Sequence, residues 1–185
     1  MKKASDFLLI IFAILLFLVS YRFDRQINLF FKGIRLEFFN FIFSIITNFG
    51  VVIFVMLVVP SIIFYKKNKK SIYLLWSAFI ISIILAFVIK LIVLRQRPAE
   101  AFTYPVIDII NYSFPSMHSM VVFALLPVLV KKMPKQKIFW VAFAFLVAFS
   151  RVYFGFHFLS DAVFGGFFGY FIGDYLLDLY ERKKL

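Results

Sequence analysis

Long apolar runs separated by basic or polar punctuation occupy most of the 185 residues. A membrane-spanning helix takes roughly 20 apolar residues. The first run, Phe7–Tyr21, follows Lys2 and Lys3. It has the look of a signal-peptide core, but no small-x-small cleavage site follows, so a retained anchor is expected. Arg22–Arg35 is a mixed stretch rich in Phe and Arg, and residues 36–65 are apolar for too long to form one helix. Asn48 and Gly50 mark a break, predicting an interfacial amphipathic helix near residues 27–46 and a second span near Phe49–Tyr65. Further spans are expected at Ile72–Leu94, Ser113–Val130 with a kink at Pro127, Ile138–Phe154 and Phe158–Leu179. The expected fold is all-α: one integral-membrane domain over residues 1–185, with six transmembrane helices and the interfacial helix. Gly165, Gly169 and Gly173 share a face of the last span, where a neighbouring backbone can approach closely. Packing within the bundle is preferred over dimerisation as their purpose, and the sequence sets no oligomeric state.

Composition strengthens this reading. Hydrophobic residues make up 64% of the chain and charged residues 16%, and mean hydropathy is +0.97. Soluble domains run at about 45–50% apolar and about 25% charged, so lipid is the expected solvent and disorder is excluded. There is no Cys, which removes disulfides, thiolate metal sites and Cys nucleophiles. A net charge of +12 would ordinarily suggest nucleic acid. Here the cations sit between apolar runs, and no nucleic-acid partner is expected. With the N-terminus inside, 13 Lys and Arg fall on the cytoplasmic side and 8 outside, which favours both termini in the cytoplasm.

The outer cations fall among three polar clusters. In the first, Lys90 and Arg97 are seven residues apart, on nearly one face of a helix expected to run to Pro98. Two such cations suit phosphate, the alternative being snorkelling toward headgroups. Snorkelling is the preferred reading of Arg95, on another face. In the second, Pro115-Ser116-Met117-His118 opens a span, where unpaired amides and the helix dipole favour an anion. Ser116 could donate its hydroxyl or cap the helix. In the third, Ser150-Arg151 precede His157 and Asp161. One helical turn can bring the imidazole and carboxylate together, and a carboxylate fixing one ring nitrogen leaves the other as base or nucleophile. Ser160 could cap the last helix. Both His residues of the chain fall in these clusters, and the combined inventory suits phosphoryl transfer through a phosphohistidine.

These clusters resemble the signature of the type 2 phosphatidic acid phosphatase (PAP2) superfamily, K-x6-RP, PSGH and SR-x5-H-x3-D. Order and spacing fit, with one departure: Met117 stands where the family has Gly, which is expected to crowd the site. The resemblance implies that His157 attacks phosphorus, Asp161 orients His157, and His118 protonates the leaving oxygen and then activates water. Lys90, Arg97, Arg151, Ser116 and the amides of Ser116, Met117 and His118 would hold the phosphate oxygens, with no metal or other cofactor. One His neutral and the other protonated imply a bell-shaped pH profile.

The number of spans points to the membrane lipid phosphatase branch, with a bacterial cytoplasmic membrane and a site facing outward. The expected substrate is undecaprenyl diphosphate or the 1-phosphate of lipid A. Alternatives are phosphatidylglycerophosphate, phosphatidic acid, or transfer of phosphate to another lipid. A transporter or scaffold is the rival class. Two features bear on headgroup choice. Glu100, Phe102, Tyr104, Asp108, Asn111 and Tyr112 could shape a pocket, or form an ordinary aromatic interfacial loop. Arg22, Arg25, Lys32 and Arg35 could attract polyanionic headgroups, or generic anionic lipid.

Overall fold

A computed structural model of the chain describes residues 2–98 and 111–182. Its elements are helices, with no strand among the described residues. They are α1 (Lys2–Gly33), α2 (Glu37–Thr47), α3 (Phe49–Lys67), α4 (Lys69–Val93), α5 (Met117–Lys132), α6 (Lys137–Tyr153) and α7 (Leu159–Arg182). Five of these, α1, α3, α4, α6 with its preceding turn, and α7, are long and apolar enough to cross a membrane.

The first helix departs from expectation. It does not stop near Tyr21 but continues through the Phe- and Arg-rich stretch, which contains no helix breaker before Gly33. The expected interfacial helix is correspondingly shorter, the 11 residues of α2, and begins with Glu37 where the helix dipole favours a carboxylate. Asn48 then breaks the chain as anticipated. Its side chain accepts from the Gly50 and Val51 amides and caps α3. Within α3 one π turn, Phe54–Val58, precedes Pro60. Proline has no N–H to give the Met56 carbonyl, and the wider turn re-routes the ladder.

The short helix α5 is the core of the bundle. Its 16 residues rise about 24 Å, less than the hydrocarbon thickness of about 30 Å. Ser113–Ser116, buried, lead into it, and irregular backbone at such depth is tolerated where protein covers it. Val121, Leu125, Val128 and Leu129 of α5 pack with Val52, Met56, Leu75, Ala78, Trp140, Ala144 and Val147. Large apolar side chains such as Phe7, Phe12, Phe38, Ile62, Tyr73 and Ile92 cover the outside, a surface that suits lipid and not water.

The three glycines of α7 face α5. A Cβ at Gly165 would stand 2.7 Å from the Ser116 carbonyl oxygen, and at Gly169 and Gly173 it would collide with the carbonyls of Met120 and Ala124. The glycine face therefore serves packing inside the bundle. Gly169→Ala is expected to lower stability by about 1–3 kcal/mol through forced separation of the helices. Thermal unfolding in detergent measures this against Gly33→Ala, where an added Cβ meets nothing within 4 Å.

Candidate active site

The polar clusters converge at one end of the bundle, formed by the end of α4, the start of α5 and the α6–α7 turn. Lys90, in the last turn of α4, is 2% exposed, and its ammonium donates to the Tyr112 carbonyl. The helix does not continue toward Arg97. It ends at Val93, and Leu94 takes a left-handed conformation (φ 51°, ψ 30°) with its N–H on the Lys90 carbonyl. Lys90 and Arg97 thus do not share a helix face. They reach the site by different routes, one from the helix and one from the chain beyond it. Arg97 is pinned by two carbonyls, Nε to Asn111 at 3.0 Å and Nη1 to Phe156 at 2.7 Å. Of the loop residues weighed as a headgroup pocket, Asn111 and Tyr112 therefore support cations of the site through their backbones. Glu100, Phe102, Tyr104 and Asp108 lie outside the described residues.

At the start of α5, Ser116 is the N-cap. Its side chain accepts from the Ser119 amide at 3.4 Å and the Ser119 hydroxyl at 3.0 Å, while its own N–H donates to the Asp161 carbonyl at 3.1 Å. The Ser116 amide is therefore committed within the fold, leaving its hydroxyl proton and the first-turn amides of Met117 and His118 to face an anion. The Met117 side chain packs against the apolar core. The ring of His118 is held by the Thr47 backbone and lies edge-on to Phe49 at 4.8 Å. Its Nε2 is buried and has no hydrogen-bond partner among the described residues.

The α6–α7 turn owes its shape to Gly155, in a left-handed conformation (φ 69°). Gly155 N–H reaches the Val152 carbonyl at 2.9 Å and Phe156 N–H the Arg151 carbonyl at 3.1 Å, the paired bonds of a Schellman turn. The His157 amide also bonds the Arg151 carbonyl, at 3.2 Å. Arg151 itself stacks over Phe156 at 4.5 Å and donates to the Thr47 hydroxyl at 2.8 Å. His157 Nδ1 lies 2.6 Å from the Ser113 carbonyl oxygen. The Asp161 carboxylate is 3.8 Å from that nitrogen, so the direct carboxylate–imidazole bond expected from the four-residue spacing is replaced by a bond to a main-chain carbonyl. Asp161 accepts instead from the Ser113 hydroxyl, the Phe158 N–H at 2.8 Å and Arg95 Nη1 at 2.6 Å. Its reach back to Phe158 caps α7, so Ser160 is not the cap.

Sequence reasoning passed over several residues here. Arg95, expected to snorkel, lies between Asp24 (2.8 Å) and Asp161 (2.6 Å), covered by the rings of Phe158 and Tyr21. Asp24 is the one carboxylate in the long apolar stretch from Phe7 to Leu36. An acid inside such a run was a readable signal, since membrane helices rarely carry unpartnered charge. Arg35, weighed as a headgroup attractor, instead donates to the Tyr153 and Phe154 carbonyls at 3.2 and 2.8 Å. Arg22, Arg25 and Lys32 remain exposed.

The electrostatics favour an anionic ligand. Lys90, Arg95, Arg97 and Arg151 accompany the carboxylates of Asp24 and Asp161, so cations predominate. The His157 imidazole is held well below the ordinary histidine pKa, first by burial and then by the charges of Arg97, Arg151 and Lys90. It stays neutral, with a lone pair on Nε2 when Nδ1 carries the proton toward Ser113. Among the described residues no three His, Cys, Asp or Glu side chains form a group that could hold a metal ion. A separate crevice of about 1040 Å³, lined by Phe12, Leu16, Phe30, Phe149, Ala162 and other apolar groups, includes none of the site cations.

Known proteins resemble this chain in sequence and in fold. The family model described as PAP2 superfamily matches residues 70–184. Phosphatidylglycerophosphatase B of Bacillus subtilis (strain 168) is 34% identical over 149 residues, covering 72% of this chain and 71% of the relative. The crystal structure of the first transmembrane PAP2-type phosphatidylglycerolphosphate phosphatase, from Bacillus subtilis, superposes with a TM-score of 0.76 at 24% identity, covering 98% of both chains. That of Aquifex aeolicus LpxE superposes with a TM-score of 0.66 at 24% identity, covering 85% of this chain and 94% of the other. A match of this extent, carrying Lys90, Arg97, His118, Arg151, His157 and Asp161 in the order of the signature, makes the chain a member of the PAP2 superfamily, in its membrane lipid phosphatase branch.

Proposed function

We propose that the protein hydrolyses the terminal phosphate of an anionic membrane lipid through a phosphohistidine on His157. The observation that carries this is the buried His157 imidazole, its Nδ1 fixed 2.6 Å from the Ser113 carbonyl oxygen, in the field of Lys90, Arg97 and Arg151. In the first step the Nε2 lone pair attacks phosphorus and the P–O bond to the lipid breaks, with His118 giving its proton to the leaving oxygen. In the second, His118 takes a proton from water, which attacks the phosphohistidine and releases orthophosphate and His157. Lys90, Arg97, Arg151, the Ser116 hydroxyl and the Met117 and His118 amides hold the equatorial oxygens. The cations of the site suit a phosphate monoester, which carries about −1.5 to −2 at pH 7.

The name of the Bacillus subtilis relative supports phosphatidylglycerophosphate as substrate. The polyprenyl diphosphate and lipid A readings of the sequence stand beside it. The 13-to-8 division of Lys and Arg supports a site on the outer face of a bacterial cytoplasmic membrane with both termini inside. The deciding experiment measures orthophosphate release by the purified protein in detergent. Substrates are phosphatidylglycerophosphate, phosphatidic acid, undecaprenyl diphosphate and lipid A, each with and without vanadate. Vanadate-sensitive release, fastest from phosphatidylglycerophosphate, is expected. No release from any of them would reject the enzyme in favour of a transporter or scaffold.

Because His157 is neutral through the ordinary histidine range, the acid limb of kcat/KM is expected below 6.5, the value of an unperturbed imidazole. Protonation of the nucleophile, which removes activity as pH falls, is postponed by its lowered pKa. A pH–rate profile with an acid limb at or above 6.5 would contradict a neutral buried nucleophile.

A further inference from the structure

We propose that Asp24 and Arg95 are positioning residues for His157, and that α1 is thereby part of the catalytic apparatus and not only an anchor; this rests on the phosphohistidine reading above.

Helix α1 is exposed along most of its length. Only 6% of its most apolar stretch is buried, yet on one face Ser20 and Asp24, one turn apart, are 2% and 5% exposed. A carboxylate at this depth needs compensation, and Asp24 has it. One oxygen accepts from the Ser160 N–H at 2.9 Å. The other accepts from the Ser160 hydroxyl at 2.5 Å and Arg95 Nη2 at 2.8 Å. Nη1 of the same guanidinium reaches Asp161 Oδ1 at 2.6 Å and the Ser160 hydroxyl at 2.7 Å. A planar fork fits two carboxylates in this way, and an ammonium would not. Asp161 Oδ2 then takes the Ser113 hydroxyl. Ser113 is fixed a second time by its N–H, which donates to the Arg95 carbonyl at 2.7 Å. The Ser113 carbonyl lies 2.6 Å from His157 Nδ1.

The chain of contacts runs from Asp24 through Arg95, Asp161 and Ser113 to His157. Every link except the Asp24–Arg95 pair lies in or beside the signature clusters, and that pair ties them to α1. Its chemical effect falls on the nucleophile. A fixed Ser113 carbonyl holds the proton on Nδ1 and aims Nε2. As Nε2 bonds to phosphorus the ring gains positive charge, which the net negative charge of the Asp24–Arg95–Asp161 group stabilises. None of these groups is among the proposed phosphate ligands, so their loss should slow the chemical step without weakening phosphate binding.

The test uses the full chain in detergent with a short-chain phosphatidic acid, comparing wild type, Asp24→Asn, Arg95→Gln, the double variant and Asp24→Glu. Each single loss is expected to lower kcat about 10–100-fold, as loss of an outer partner of a metal-bound histidine does. KM and the inhibition constant of orthophosphate should stay within about twofold, since a ligand bound equally in ground and transition states is untouched. The double variant should be no slower than the slower single, because the pair acts as one unit. Asp24→Glu, which keeps the charge, should recover part of kcat. Unchanged kcat in Asp24→Asn, additive losses, or a rise in the orthophosphate constant matching the fall in kcat would each overturn the proposal, the last by making Arg95 a phosphate ligand. If Asp24→Asn does not fold, Ser113→Ala, which removes only the hydroxyl link, must show the same fall in kcat at constant KM, and full activity there overturns it. Failure of the wild type to release phosphate from any lipid would instead reject the underlying phosphatase reading.

Discussion

His157→Ala is expected to slow phosphate release by at least about 10⁴-fold, the scale on which loss of a covalent nucleophile registers when the rest of a site survives. The side chain is 2% exposed and its Nδ1 is occupied by the Ser113 carbonyl, so no other orientation of the ring serves equally well. Alanine removes the proposed phosphoryl acceptor while leaving Lys90, Arg97 and Arg151. Orthophosphate should therefore still bind. Rapid quenching of turnover into alkali, which preserves phosphohistidine, should trap label on the wild type and none on the variant. Thermal unfolding separates this from loss of fold. An active His157→Ala protein, or label retained on it, would remove His157 from the reaction.

The second large effect concerns His118. Its Nε2 is a buried nitrogen without a hydrogen-bond partner among the described residues, and the Thr47 backbone and the Phe49 ring fix the imidazole. A proton donor so held is worth about 10²–10⁴-fold. His118→Ala should lose that much on a lipid phosphate, whose alkoxide leaves poorly without a proton. With an aryl phosphate such as p-nitrophenyl phosphate the first step needs little help, and the loss should shrink toward the cost in the second step alone. Rates across a leaving-group series give the answer. A loss independent of leaving-group acidity would assign His118 to binding and not to proton transfer.

The helices and the three clusters were legible because each is a local pattern: apolar length sets a span, and fixed spacings within short stretches announced His157, Asp161, His118 and Arg97. Three kinds of information were not local. The end of α4 depends on Leu94 adopting a left-handed conformation, which a leucine rarely does and no spacing reveals. Misplacing that end by a few residues made Lys90 and Arg97 helix neighbours and sent Arg95 toward lipid. The partners of Arg95 lie 66 and 71 residues away in the chain, beyond any periodicity. Backbone participants such as the Ser113 and Thr47 carbonyls carry no side-chain signature at all. The continuation of α1 past Tyr21 was missed for a different reason. Arg and Phe between residues 22 and 32 resemble an interfacial segment, yet nothing in them breaks a helix.

The main-chain contact between α5 and α7 has a metrological consequence. His118 rides on α5 and His157 stands just ahead of α7, so in the proposed reaction the separation of proton donor and nucleophile is gauged by glycine against carbonyl, where an added Cβ would find no room. Side chains change rotamer, but such a gauge has no play. On that reading the spacing of the two imidazoles is set by the thickness of two backbones, and accommodation of different lipid headgroups falls to residues outside that pair.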